Sequence, residues 1–350
     1  MIEVEPRTAR RAAPRLIGQT WAIVLAGGEG TRLKSLTMDE VGQNVPKQYC
    51  SLRSGPSLLN EALRRAEMVA SLARVCTVVA QQHRRWWGRS LAGFPAGNVI
   101  VQPQNRGTAN GIVLALAYVL ERDPLANVVV LPSDHYVRDE VLLGEALFRV
   151  VRTLRADEAK VVLLGVAPDE IDPELGYIVP AHAAGDAPVG VRKFVEKPSP
   201  REAAALIDEG ALWNSFILAA QARALLDLVC DRDATVVKKI RAAWRRDLPT
   251  PSTGAALAEL YRTLPALDFS RDIAAGRETS LSVVQVPPCG WSDLGTPERV
   301  AKALRRPPPI RAPRAVTCTA ALSLEERLKT RQAASIARVA RCGTEIVMAG

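Results

Sequence analysis

Between Gly27 and Lys47 the chain collects groups suited to holding an anion. Gly27-Gly28-Glu29-Gly30-Thr31-Arg32 follows an apolar run, Trp21–Ala26. Glycines this dense let backbone N–H groups crowd an anionic ligand without interference from Cβ atoms. Arg32 adds a guanidinium, and Pro46-Lys47 adds an ammonium on a stiff turn. Amide donors and two cations at one strand end suit a triphosphate. The dinucleotide fingerprint would place a third glycine at Leu33, and a P-loop would read Gly-Lys-Ser/Thr; neither is present.

Two further stretches carry chemistry of the same kind. Gln102, Asn105 and Thr108 lie where a strand turns into a helix, and their amide and hydroxyl groups suit the edge of a base, with phosphate favoured at the helix N-terminus. The same residues also suit helix capping. Leu131-Pro132-Ser133-Asp134-His135 sets a carboxylate just past an all-apolar strand, and Gly290-Trp291-Ser292-Asp293-Leu294-Gly295 sets a second one after another strand-like run. Asp134 and Asp293 together would suit Mg²⁺, a hard ion that takes one or two carboxylates plus phosphate oxygens. His135 reads as a structural hydrogen-bonder, because Mg²⁺ prefers oxygen. Farther on, Glu196, Lys197 and Asn214 form a polar set: a carboxylate for sugar hydroxyls, an ammonium for a sugar phosphate, and an amide for either.

Elements of regular structure must position these groups. Helical periodicity runs over 57–70 and 107–122, with strand-like runs at Arg74–Ala80, Asn98–Gln102 and Asn127–Leu131. Strands alternating with helices predict an α/β fold with a doubly wound, mostly parallel Rossmann-like sheet. Ligands of such sheets sit beyond the carboxyl ends of the strands. After about residue 160 shorter strands and loops predict a smaller β subregion, including a turn into a strand at Glu174–Ile178 and a helix at Pro200–Gly210. Gln81–Ser90 mixes basic and aromatic residues, and reads as an amphipathic helix with Trp86 and Trp87 turned inward.

Composition narrows the function classes. The chain has 350 residues, 48% of them hydrophobic, and no apolar run long enough to span a membrane. The Arg-rich N-terminus lacks the apolar core of a signal peptide, so a cytoplasmic enzyme is expected. Six scattered cysteines, with no Cys-x-x-Cys pair, argue against zinc and against a disulfide framework. The net charge is +9, but residues 301–350 carry +7 and residues 1–20 carry +2, leaving the intervening 280 residues neutral. A polyanion binder would carry its basic patch on the folded body, so nucleic acid is not expected as a partner. The expected organisation is a basic arm (1–20), a catalytic domain (21–300), a Pro/Arg-rich linker (301–315) and a basic helical tail (316–350). That tail could dock on the body or pair subunits into a homo-oligomer.

Five motifs stand in order: GGEGTR with PKQY, QPQNRGTA, PSDH, FVEKP with WNS, and CGWSDLGT. Together they resemble the mannose-1-phosphate guanylyltransferases of the sugar-1-phosphate nucleotidyltransferases, over roughly residues 20–300. The resemblance implies GTP and a sugar 1-phosphate as substrates and Mg²⁺ as cofactor. It implies Gly27, Gly28, Gly30, Thr31, Arg32 and Lys47 at the phosphates, Arg32 and Lys47 being catalytic. Gln102, Asn105, Arg106 and Thr108 would lie along the nucleotide, Asp134 and Asp293 on the metal. Gly176, Glu196, Lys197 and Asn214 would receive the sugar phosphate. The chain departs from the pattern at Lys34, where Trp is usual, and at Ile178 and Phe216, where Gly is usual. Leu267–Ser270 departs from an Ile-Asp-Tyr-type segment. These changes fall mostly on the sugar side, which keeps open another sugar/nucleotide pair, or a non-catalytic relative that binds a nucleotide-sugar.

Overall fold

A computed structural model describes residues 20–38, 42–52, 55–154, 160–248 and 254–305. These residues fall in one compact unit; the basic arm and tail expected from the sequence lie outside them.

The strands are β1 (Thr20–Ala26), β2 (Val75–Ala80), β3 (Val99–Gln102), β4 (Asn127–Pro132), β5 (Val161–Val166), β6 (Gly176–Pro180), β7 (Val189–Glu196), β8 (Leu212–Gln221) and β9 (Leu281–Val286). They form one nine-stranded sheet in the order β3-β2-β1-β4-β8-β5-β9-β7-β6. The helices are α1 (Leu58–Glu67), α2 (Arg84–Ser90), α3 (Thr108–Arg122), α4 (Glu140–Thr153), α5 (Pro200–Asp208), α6 (Ala222–Asp247), α7 (Ala255–Thr263) and α8 (Pro297–Arg305). Strand β1 is apolar from Trp21 to Ala26 because both of its faces are covered. Trp21 and Ile23 join one core with α3, α6 and α7, whereas Ala22, Val24 and Ala26 join the other with α1, α4 and α5.

Local signals explain where elements begin. Ser57 and Ser199 accept from the amides of Asn60 and Glu202 at the starts of α1 and α5, and Pro200 opens α5 with its φ already set. The α6 segment kinks at Asp233, whose carboxylate caps the second half through the Thr235 and Val236 amides.

The sheet is mixed, and this corrects the mostly parallel expectation. Pairs β1–β2, β1–β4, β2–β3 and β5–β9 are parallel, but β8 runs antiparallel between β4 and β5. Strands β6 and β7 form a hairpin, with β6 also antiparallel to β8 and β7 to β9. Connection length accounts for the hairpin, since a parallel pair needs a crossover of a dozen residues or more and the link from Pro180 to Val189 is shorter. One consequence is functional. Antiparallel β8 brings its beginning, not its end, to the edge where β1 and β4 finish, and the β6–β7 hairpin meets it with the start of β6 and the end of β7.

Candidate active site

At that edge a cleft of about 420 Å³ opens. The ends of β1, β3 and β4 supply Gly27, Gly28, Gln102 and Asp134, and the end of β7 supplies Glu196 and Lys197. The beginnings of β6 and β8 supply Gly176 and Asn214, and the loop after β9 supplies Asp293. Asn105, Thr108 and Arg32 complete the expected residues on its wall. Gly30, Lys47 and Arg106 are not on it, and the Thr31 side chain lies outside the described residues.

Gly30 and Lys47 sit behind the wall. Gly30 has φ +61, and a Cβ there would lie 2.9 Å from the Lys47 amide nitrogen, so the Gly-x-Gly turn packs directly on the Pro-Lys turn. The buried Lys47 ammonium bonds the Asp134 carboxylate at 3.0 Å and the Asp293 carbonyl at 2.6 Å. It is thus a strut between the two aspartate loops. Gln48 clamps the glycine turn from below, donating to the carbonyls of Ala26 (3.1 Å) and Gly28 (2.9 Å).

Arg106 points elsewhere. Its guanidinium bonds the carbonyls of Tyr261 and Arg262 at the end of α7, at 2.9 and 3.0 Å. It anchors the loop, whereas the nucleotide role implied for it would need the opposite orientation. Thr108 is engaged with Asp268 (3.2 Å) and the Phe269 amide (2.7 Å), and Asn105 Oδ1 accepts from the Gly107 amide (3.0 Å). Gln102 lines the cleft and is buried, with its Oε1 unpartnered.

The carboxylates are held ionised. Burial pushes Asp134 up, and the Lys47 ammonium, joined in acid by a protonated His135, more than reverses this, leaving it below its ordinary value. Asp293 behaves alike: burial raises it, and His135 and Arg299 bring it down further. Arg299, on α8, pairs with both Asp293 and Asp172. The His135 Nδ1 has no partner, its Nε2 lies 3.7 Å from Asp134 Oδ1, its ring stands edge-on to Trp291 at 5.3 Å, and burial drives it down to about 4. It is neutral at pH 7. Among the described residues no group of three or more His, Cys, Asp or Glu side chains could cage a metal alone. Two ionised aspartates at the rim of an anion cleft fit a divalent cation that completes its shell from substrate phosphates.

On the other side, Gly176 pairs with Glu196 in the β6–β7 hairpin, and a Cβ at Gly176 would lie 2.5 Å from Glu196 Oε2 and 3.2 Å from Asn214 Cβ. Only glycine lets these three converge. Glu174, Asp268, Ser270 and Phe216 line the cleft beside them. No periodic or motif signal in the chain marks Glu174 as a site group, and Ser270 is marked only through the Leu267–Ser270 segment of the family resemblance. Glu174 bonds Arg32 at 3.0 Å and lies 3.8 Å from Lys197, so the two exposed cations share one carboxylate. The three non-glycine residues with positive φ among the described ones are Lys197, Phe216 and Leu294, all on the cleft or next to Asp293. Backbone strain of this kind collects at functional sites.

Burial, then Asp268, pushes Glu196 up from 4.5 to about 7, against Lys197. The folded state therefore holds this proton more tightly than the unfolded chain does. Stability contributed below pH 4.5 is lost as pH rises through 7. Glu196→Gln is expected to flatten the stability profile across that window, as read by denaturation midpoints at pH 5 and pH 8. An unchanged slope would exclude Glu196 as its source.

Several known proteins are similar to this chain. The xanthan biosynthesis protein XanB of Xanthomonas campestris pv. campestris (strain B100) is 29% identical over 279 residues, covering 78% of this chain and 57% of XanB. A mannose-1-phosphate guanylyltransferase of Salmonella muenchen is 28% identical over 281 residues, covering 78% of this chain and 57% of that protein. The chain thus spans little more than half the length of these relatives. A solved Thermus thermophilus structure, described as a mannose-1-phosphate geranyltransferase, superposes with TM-score 0.68 at 27% identity, covering 83% of this chain and 80% of that one. No helix among the described residues is long and apolar enough to cross a membrane. With the nucleotidyl transferase family model matching residues 21–306, across the strands and loops that build the cleft, the chain belongs to the nucleotidyl transferase family.

Proposed function

We propose that the chain transfers a nucleotidyl group from GTP to a sugar 1-phosphate, mannose 1-phosphate foremost, releasing pyrophosphate and a GDP-sugar. The observation that carries this reading is the division of one cleft into two halves. Amide-rich Gly27-Gly28, Gln102 and Arg32 lie on one side, and Gly176, Glu196, Lys197 and Asn214 on the other. The named relatives support the substrate pair. We take the β1–β4 half as the Rossmann-like nucleotide half, and residues 21–300 as the catalytic domain.

The sugar phosphate is already a competent nucleophile, so no protein nucleophile is required. Attack on the α-phosphorus expels pyrophosphate, and the protein's work is positioning and charge neutralisation. Arg32 offsets negative charge on the triphosphate, and Lys197 draws the sugar phosphate into line. Glu196 and Asn214 hold sugar hydroxyls. Asp134 and Asp293 would hold Mg²⁺, which when bound neutralises phosphate charge. Lys47 acts through the aspartates it ties together, and is a positioning residue in this scheme.

Incubation with GTP, Mg²⁺ and mannose 1-phosphate should release pyrophosphate. Arg32→Ala should lower turnover by roughly 10²–10³, the usual cost of one preorganised charge. Pyrophosphate failing to appear with any nucleoside triphosphate and sugar 1-phosphate would overturn the activity.

A further inference from the structure

Phe216 stands in the left-handed region, with φ +58, a conformation that disfavours a bulky side chain and suits glycine. Its surroundings enforce that conformation. The Asn214 carboxamide oxygen accepts from the Phe216 amide at 3.0 Å. The Ser215 hydroxyl donates to the Leu164 carbonyl at 2.6 Å and accepts from the Ile217 amide at 3.2 Å. Here the register of β8 against β5 slips, from Leu163 opposite Leu218 to Gly165 opposite Asn214. The irregularity turns the Phe216 ring to the cleft wall, where it meets Phe269 edge-on with centroids 6.2 Å apart. Asn214, next to it, bonds Ser270 at 3.2 Å and abuts Gly176 and Glu196.

A strained aromatic side chain fixed in a cleft is a feature the fold could relieve with glycine. The ring is therefore best understood by what it does there. It is apolar, immobilised at its backbone and its edge, and placed beside the sugar-binding set. At about 420 Å³ the cleft is near the small end of ligand sites, yet it must take both a nucleotide and a sugar phosphate.

We propose that Phe216 sets sugar specificity by size: its ring closes the sugar half against bulky ring substituents and confines the acceptor to unsubstituted hexose 1-phosphates. This rests on the nucleotidyl-transfer reading above. The test compares wild type with Phe216→Gly and Phe216→Ala in the full chain, on a hexose 1-phosphate and on its bulkier N-acetylhexosamine counterpart. Both variants should raise the kcat/KM ratio for the bulkier acceptor by at least about tenfold, the low end of steric discrimination in a pocket. Phe216→Gly should also melt higher than Phe216→Ala, because only glycine relaxes the positive φ. An unchanged or lowered ratio overturns the proposal, as does Phe216→Ala melting as high as Phe216→Gly. If no protein releases pyrophosphate with any pair, the activity reading fails by itself. The ratio of dissociation constants for the two sugar phosphates, measured by calorimetry, then decides the role of Phe216 on the same criterion. Absence of binding by every protein overturns it.

Discussion

Lys47→Met is expected to disable the site and to weaken the fold together. The ammonium lies in a buried position between the Asp134 carboxylate and the Asp293 carbonyl. Removing one partner of a buried pair leaves the other charge uncompensated, at about 3–5 kcal/mol. The lower end applies here, because the Asp134 side chain keeps 35% exposure to the cleft. With the cation gone, burial of Asp134 loses its largest counterweight and its carboxyl rises, so part of its charge is lost where a divalent cation would need it. Turnover should fall by roughly 10²–10³, and more Mg²⁺ should be needed for half-maximal rate. Adding Asp134→Asn to Lys47→Met separates the two effects. The double variant should recover stability, since no buried charge remains unpaired, and should recover no activity. A Lys47→Met protein with wild-type stability and turnover would remove the strut from the mechanism.

Much of this site was legible in the chain, for a definite reason. Where the sheet is parallel, strand ends and site coincide. An apolar run followed by Gly27–Arg32, or by Ser133-Asp134, marks both the strand and the group it delivers. The residues that strand-end reasoning alone does not reach belong to the antiparallel half. Asn214 and Gly176 start their strands, so the rule that reads strand ends would not have placed them, and their site role came from the family resemblance or from residue type. Ser270 sits in a short π-helical turn, Phe269–Ala274, and Asp268 caps it; the pattern there carries no periodic signal. Thr108 meets Asp268 and the Phe269 amide across some 160 positions of sequence. Arg106 shows the converse: its residue type and spacing fit a phosphate, but nearby carbonyls of α7 satisfy its donors first. Side-chain direction is a tertiary property, and spacing alone does not encode it.

Arg299→Met is the variant expected to harm stability most, through groups that no motif announced. One guanidinium forks between Asp172 and Asp293, and all three side chains are about 10% exposed. Asp172 also receives the Glu174 amide at 2.9 Å, and its own amide and carbonyl both bond the Tyr177 hydroxyl. Arg299 therefore joins the loop that carries Asp293 to the loop that leads into Gly176. Its removal strands two buried carboxylates, and a loss of about 3–5 kcal/mol is expected. Arg299→Lys keeps the charge but has no fork, so it should hold one partner only and fall between the two. Acid supplies the check. Asp293 is held below its ordinary 3.8, so its contribution is complete well above that value and disappears as pH falls through the lower folded-state value. Denaturation curves for wild type and Arg299→Met should be widely separated at pH 7 and converge toward pH 3, where Asp293 takes up its proton. Equal stability at pH 7, or a gap that acid leaves intact, would mean that the fork carries no charge-dependent load. In that case Asp293 owes its placement to the Lys47 strut and the turn at Gly295, whose amide bonds Asp293 at 3.0 Å.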